Sequence, residues 1–363
     1  MKIYIVTGEK SGDQHAAKIV KEIKNQNKDI KIGAWGGDSL LSEKIQLDHH
    51  IDEINYMGFW EVLKNISQVF KNLKKCKQDI INFSPDLVLL VDYPGFNLKI
   101  AEFAYSNNIK TFYYISPKIW AWNSNRISKI KRFVDKMFVV FPFEKEYYKK
   151  RGYDVKYLGN PVLESISSTK LNLIKKEKPI ISLIPGSRRQ EIEKILPIML
   201  EIISFYPNYS FVLSATNSFT HQYYKELVKG YDVEIIFDRQ YDILNSSSAA
   251  IVTSGTSTLE AALLNVPQIV CYKTSKLSYL IAKLFVKIKY ISLVNILLNK
   301  SSISELIQNY LTAENIINKL NYILDPINKK RILNDYEEVR KILKTEKPSS
   351  ITISKEIISS ISS

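Results

Sequence analysis

The sequence predicts an α/β protein made of two Rossmann-like parallel-sheet domains that face each other across a cleft. Near-continuous apolar strands alternate with helical patterns along the chain, the signature of strands buried on both faces of a parallel sheet. In addition, TGEKSGDQHA (7–16), IPGSRRQEIEKILP (184–197) and TSGTSTLEAALLNVP (253–267) each join a small or Gly-containing turn to an amphipathic run. Such a junction sets the free amides and positive dipole end of a helix where a phosphate can sit. The chain has 363 residues, 45% of them hydrophobic, enough for two full cores. Together these features predict a nucleotide-linked substrate.

The first strand is KIYIVTG (2–8), and a helix follows from Ser11. KIGAWGG (31–37) is the second strand and ends in a Gly pair. PDLVLLVDYPGF (85–96) is an apolar strand closing at Asp92, with a turn at Pro94-Gly95. KTFYYISP (110–117), DKMFVVFPF (135–143) and VKYLGNP (155–161) complete a first series. Residues 164–178 lose the pattern and read as a linker between a domain of 1–163 and a domain of 179–345. The second series is PIISLIPG (179–186), SFVLSAT (210–216), DVEIIFD (232–238), AAIVTSG (249–255) and PQIVCYK (267–273). Residues 346–363 read as a Ser/Ile/Lys-rich tail. In open parallel sheets the ligand crevice lies outside the carboxyl ends of the strands. Glu9, Asp13, Asp92, Ser116, Gly186 and Ser254 all fall just past such ends.

Fifty-one Lys and Arg against 37 Asp and Glu leave a net charge of +14. That excess attracts phosphates, nucleic acid or an anionic membrane without choosing among them. A general richness in Lys, Ile and Asn is the alternative reading of part of it. The two cysteines, Cys76 and Cys271, have no metal-ligand spacing. With a strand at the N-terminus in place of a leader, a reducing cytoplasm is expected. No apolar run reaches the roughly 18–20 residues of a membrane span.

Gly186 and Ser187 precede a helix starting near Arg189, with Arg188 on the turn. Amides, a hydroxyl and a guanidinium suit a pyrophosphate; an ordinary turn with solvated arginines fits the same residues. Ser254, Gly255 and Thr256 open the next helix, with Glu260 one turn in. There the hydroxyls face phosphate and the carboxylate faces ribose, or else they form a plain N-cap with a first-turn Glu. GEKSGD is no GxGxxG, and no P-loop pattern occurs. Asp92 closes an apolar strand, where a carboxylate is costly to desolvate. It is either a general base or a cap of the Pro94-Gly95 turn. Glu9, Asp13 and His15 cluster at the first helix start as further candidates. No metal ligand cluster and no cofactor are expected.

Two stretches look built for lipid. Residues 57–75 carry Met57, Phe59, Trp60, Leu63, Ile66 and Phe70 among lysines. Residues 273–289 set Leu277, Leu280, Ile281, Leu284, Phe285 and Ile288 on one helical face and Lys276, Lys283 and Lys287 on another. A basic amphipathic helix lies in an anionic membrane interface or covers an acyl chain. A core-facing helix with a solvated face shows the same pattern.

With these residues in view, the chain resembles the lipid-A-disaccharide synthases. The resemblance runs through TGEKSGDQHA, GGDSL, YMGFWEVL, DYPGFN, SPKIWAW with Arg126 and Lys129 following, FPFEKEYY, LGNP, IPGSRRQEIEKILP, TSGTSTLEAALLNVP, YISLVNILLNK and ISELIQ, in family order. It implies a GT-B fold, with an acceptor- and lipid-binding N-terminal domain and a UDP-sugar-binding C-terminal one. The implied chemistry is inverting, metal-independent transfer of 2,3-diacylglucosamine from its UDP derivative to the 6-hydroxyl of 2,3-diacylglucosamine 1-phosphate. A peripheral position on the inner face of the cytoplasmic membrane, a homodimer and no nucleic-acid partner are implied as well. Asn295, Glu305 and Gln308 match positions of the family's C-terminal motifs and are implied to contact UDP or the donor sugar. Three positions depart from the family pattern. Gly95 stands where family members often carry a second acid, Asn160 where a His is common, and Asn123 where a basic residue often follows WAW. The base then falls to Asp92 or to the Glu9, Asp13 and His15 cluster. Another GT-B UDP-N-acetylglucosamine transferase, a UDP-sugar epimerase, and a charge-driven membrane or nucleic-acid binder are the alternatives. The paired phosphate turns argue against the last of these.

Overall fold

The computed structural model describes residues 1–53, 66–122, 124–275, 279–280 and 288–362. They divide into two compact units, one of Met1–Pro161 with Thr345–Ser363, the other of Val162–Lys344.

The first unit holds a seven-stranded sheet in the order β3-β2-β1-β4-β5-β6-β7. Its strands are β1 (Lys2–Thr7), β2 (Lys31–Gly36), β3 (Leu47–His50), β4 (Leu87–Val91), β5 (Lys110–Tyr114), β6 (Lys136–Val139) and β7 (Lys156–Tyr157). Every pairing is parallel. Its helices are α1 (Lys10–Gln26), α2 (Asp38–Ser42), α3 (Ile66–Phe83), α4 (Pro94–Ser106), α5 (Ile127–Phe133) and α6 (Pro142–Lys149). β1 and β4 are apolar along their length because both faces are covered: Ile3, Ile5, Leu87 and Leu89 are as buried as Tyr4, Val88 and Leu90. α1 turns Ala16, Ile19, Val20 and Ile23 inward at helical spacing.

The second unit begins at Val162 inside α7 (Pro161–Ser168) and holds a six-stranded parallel sheet in the order β10-β9-β8-β11-β12-β13. The strands are β8 (Ile180–Ile184), β9 (Ser210–Ala215), β10 (Val233–Phe237), β11 (Ser247–Thr253), β12 (Gln268–Tyr272) and β13 (Ser304–Ile307). The helices are α8 (Arg189–Leu200), α9 (His221–Leu227), α10 (Gln240–Asn245), α11 (Thr256–Leu263), α12 (Leu293–Leu298), α13 (Ala313–Leu324) and α14 (Pro326–Leu343). Each sheet is Rossmann-like, with its order reversing at an inner pair, β1 and β4 in one unit, β8 and β11 in the other.

Three segments differ from the sequence expectation. β3 and β13 are edge strands, LDHH and SELI, too short and polar to show as apolar runs. Part of the expected linker belongs to the second unit: the Asn172 amide donates to Asp242 Oδ1 and the Ile174 amide to Ser246 Oγ, each at 2.8 Å. The expected tail is a helix, α15 (Ser349–Ser362), packed against α1 in the first unit. Ile353 and Ile357 are fully buried on it, and Glu356 pairs with Lys136 at 3.2 Å and Lys156 at 2.6 Å. Its isoleucines recur at helical spacing, a signal that the many serines obscure. Ile357→Ala is therefore expected to cost about 2–5 kcal/mol of unfolding free energy in denaturant titration; an unchanged midpoint would mean that α15 does not anchor its unit.

Candidate active site

In the first unit the chemistry gathers past the ends of β1 and β4, neighbours in register from Ile3 with Leu87 to Thr7 with Val91. Past β1 the chain must turn tightly into α1, and glycine permits it: a Cβ on Gly12 would lie 2.4 Å from Thr7 Oγ1. Past β4, Asp92 and Tyr93 adopt left-handed backbone, with φ of 50° and 48°. For non-glycine residues each such conformation costs on the order of 1–3 kcal/mol and persists only where surroundings impose it. Tyr93 then caps α4, with Pro94 at the first helical position. Its ring lies where a Cβ on Gly8 would stand, 2.3 Å from Cδ1.

This turn brings the Asp92 carboxyl close to Glu9. Burial pushes its pKa up to about 6, the neighbouring Glu9 charge adds to the rise, and Lys118 and the Tyr93 amide oppose it. Asp92 thus has the properties of a proton acceptor that works near neutral pH. Glu9 is half-buried at the start of α1, and His15 is half-buried further along it.

Asp13, one of the expected catalytic candidates, has its carboxylate engaged within the first unit. It is 1% exposed, and both carboxylate oxygens are used: Gly37 and Leu40 amides donate to Oδ1 at 2.7 and 3.4 Å, and the Ser39 amide to Oδ2 at 2.8 Å. It caps α2 from a neighbouring helix and ties the GGDSL turn to α1.

The SPKIWAW loop leaves β5 and is held by a buried acid, Glu144, outside the expected site residues. Glu144 Oε1 accepts from Ser116 Oγ at 2.6 Å and Trp120 Nε1 at 3.1 Å, and Oε2 from the Val140 and Phe141 amides at 3.0 and 2.9 Å. Burial raises its pKa despite these donors. Pro142 at the first position of α6 with Glu144 at the third was the available signal. Ser116 is therefore an anchor of this loop, while Lys118 stays exposed on it. Trp122 is exposed too, its ring under the Arg126 guanidinium at 4.9 Å.

In the second unit the turns after β8 and β11 lie side by side, since Ile184 pairs with Val252. Gly186 has φ of 101°, and a Cβ there would come within 2.6 Å of Glu191 Oε2. Ser187 and Arg188 are exposed just before α8, and Arg188 Nη1 lies 3.2 Å from Glu191 Oε1. An exposed pair of this kind holds its partners weakly, so an incoming anion can claim the guanidinium. Ser254 Oγ donates to the Ile291 carbonyl at 2.9 Å, and Gly255 and Thr256 are exposed at the start of α11. Glu260 is buried below them; burial pushes its pKa up to about 7, against a hydrogen bond from Gln240 Nε2. Gln240 also donates to Ser257 Oγ at 3.1 Å. The sequence reading gave Gln240 no role, and no spacing rule links it to Glu260.

Asn295, expected on the donor side, is hydrogen-bonded within its own unit. It is fully buried and its amide is spent within the unit: Nδ2 donates to the Ile303 carbonyl and Glu305 Oε1, both at 2.9 Å. Its Oδ1 accepts from the Ser302 and Ile303 amides at 2.9 and 3.0 Å. It holds Glu305, whose carboxylate also accepts the Ile291 and Ser292 amides. Gln308 follows β13, with Oε1 accepting the Thr274 amide at 2.9 Å.

Met57, Phe59, Trp60, Leu63, Lys276, Lys283 and Lys287 lie outside the described residues, and Ile66 opens α3. Phe70 is 56% exposed, with Lys99 Nζ 4.8 Å over its ring. Among the described residues no helix is long and apolar enough to cross a membrane.

If Asp13 is a structural cap, Asp13→Ala should lower unfolding free energy by about 1–3 kcal/mol, because buried amides of α2 lose their acceptors. Chemical denaturation measures it; wild-type stability with lost turnover would return Asp13 to the catalytic set.

Comparison with known proteins agrees with this architecture. Residues 3–361 match the family model described as lipid-A-disaccharide synthetase. The chain is 34% identical over 353 residues to a lipid-A-disaccharide synthase of Syntrophus aciditrophicus (strain SB), covering 93% of this chain and 92% of that one. Among solved structures, a Neisseria meningitidis UDP-GlcNAc 2-epimerase bound to UDP-GlcNAc aligns with a TM-score of 0.63 at 18% identity, covering 99% of both chains. The glycotransferase of kitacinnamycin aligns at 0.66 and 11% identity over 99% of both. The fold is GT-B, and this chain belongs to the lipid-A-disaccharide synthase family of glycosyltransferases.

Proposed function

We propose that the chain transfers 2,3-diacylglucosamine from UDP-2,3-diacylglucosamine to the 6-hydroxyl of 2,3-diacylglucosamine 1-phosphate, with inversion and without metal. The observation that carries the substrates is the family match over residues 3–361. The geometry of each unit supports the roles assigned here to its residues. The acceptor oxygen forms a bond to the anomeric carbon as the bond to the UDP β-phosphate oxygen breaks and its electrons leave with UDP. Asp92 takes the hydroxyl proton, with Glu9 keeping its proton affinity high. His15 is held in reserve on α1, and Asp13 serves by fixing α2. Arg188, the amides of Gly186 and Ser187, and the Ser254–Gly255–Thr256 helix start stabilise the departing pyrophosphate as preorganised donors. Glu260, with a proton to give or accept near pH 7, binds ribose hydroxyls. Glu305 and Gln308 complete the donor side and Asn295 holds Glu305 in place. Residues 57–75, with Phe70 exposed, take acyl chains, and Lys276, Lys283 and Lys287 with the +14 charge favour an anionic membrane surface. A homodimer at the inner face of the cytoplasmic membrane is the form in which we expect it to work.

UDP release in detergent with EDTA, with and without the monosaccharide 1-phosphate, tests the reaction. Acceptor-dependent release with a disaccharide product is expected; release without acceptor, or none at all, overturns it. Arg188→Ala should slow release about 10²-fold or more, and near-normal turnover would remove Arg188 from the site.

The pH dependence follows from Asp92. A base works only when ionised, and its pKa is raised to about 6. Turnover should therefore fall as pH drops through about 6 and level off above it. Asp92→Asn should abolish turnover at every pH and leave UDP affinity intact. An active variant would shift the base to Glu9 or His15.

A further inference from the structure

The left-handed pair at Asp92 and Tyr93 needs something to hold it, and two side chains outside the expected site converge on it. Asn97, fully buried in the second turn of α4, donates Nδ2 to the Asp92 carbonyl at 2.8 Å. The same nitrogen lies 3.3 Å from the carbonyls of Val6 and Val91, so one amide spans the ends of β1 and β4. From β5, the Tyr113 hydroxyl donates to that Asp92 carbonyl at 2.6 Å. A single carbonyl with two side-chain donors fixes the peptide plane between Asp92 and Tyr93. That plane sets both the direction of the Asp92 side chain and the Tyr93 amide, which hydrogen-bonds the carboxylate.

Asn97 makes this contact at a cost. Its Oδ1 is buried with no hydrogen-bond partner among the described residues. A core amide placed only for packing would use both ends or give way to an apolar residue. Here the three converging carbonyls demand a donor. Aspartate would set charge against them, and leucine would remove the one side-chain N–H that reaches all three. Serine, shorter but still a donor, can keep one bond.

We propose that Asn97 and Tyr113 are positioning residues that orient the Asp92 carboxyl group toward the acceptor hydroxyl by clamping the Asp92 carbonyl. The proposal rests on the reading of Asp92 as base. Neither residue need touch substrate; both act through one peptide unit.

The test uses the full chain with both lipid substrates, measuring kcat, donor KM and the pH profile of Tyr113→Phe, Asn97→Ser and Asp92→Asn. Tyr113→Phe keeps the ring in the core and removes only the hydroxyl. It should lower kcat about tenfold with donor KM unchanged. The acid limb should move to higher pH, because a carboxylate that loses the Tyr93 amide loses a donor favouring its charged form. Asn97→Ser should lower kcat in the same way with donor KM unchanged. A role in folding alone would lower the melting temperature and leave the acid limb in place. Wild-type kcat and acid limb in Tyr113→Phe and Asn97→Ser, with Asp92→Asn inactive, would overturn the clamp and leave the base standing. Turnover by Asp92→Asn would overturn both.

Discussion

A parallel strand buried on both faces leaves its chain one place for polar chemistry, past its carboxyl end. Along the strand every backbone group is paired in the ladder and every side chain meets apolar neighbours. At the end the ladder stops, the next helix begins with unpaired amides, and the chain must turn sharply. Both units obey this constraint, and their candidate groups follow from it: Glu9 and Asp92 after β1 and β4, Gly186 to Arg188 and Ser254 to Thr256 after β8 and β11. Each inner pair sits where strand order reverses, so the helices that follow diverge and leave the ends open.

The two units spend that opening differently. The first sets the Asp92 carboxyl near Glu9 on a buried turn whose backbone is left-handed at Asp92 and Tyr93. The raised pKa of Asp92 is mainly burial, with Glu9 second, so a single turn creates both the position and the basicity. The second presents amides, hydroxyls and a guanidinium, and the buried carboxylate of Glu260 lies one turn into α11 instead of at its start. A base is useless for holding a pyrophosphate, and a ring of donors is useless for taking a proton.

Much of this was legible in the sequence because the strand pattern and the turn residues report directly on local backbone. The apolar runs marked the inner strands, and glycine marked the turns at Gly8 and Gly186 and the close approach of Gly12 to Thr7. What stayed hidden depends on distant contacts. LDHH and SELI are edge strands whose pairing on one side is all that makes them strands. Asp13 and Asn295 looked available because their types are polar and their motifs familiar. Their spent hydrogen bonds come from residues 24 and 7–10 positions away or more. Glu144, Gln240, Asn97 and Tyr113 were passed over for the same reason: each acts on a group that the fold, not the local spacing, brings near.

Gly95 shows how far a single departure reaches. A Cβ there meets nothing within 4 Å, and the residue is exposed in the first turn of α4. Its lack of a side chain therefore answers no steric need, and an acid at this place would sit favourably at a helix N-terminus. Losing such an acid removes a charge near the turn without disturbing the strained pair at Asp92 and Tyr93, because nothing that holds the pair passes through position 95. The elements that aim Asp92 are the Asn97 amide, the Tyr113 hydroxyl and the Gly8 gap filled by Tyr93, and all three are intact. The costly backbone conformation at Asp92 and Tyr93 and the buried Asn97 amide therefore do not depend on a side chain at position 95.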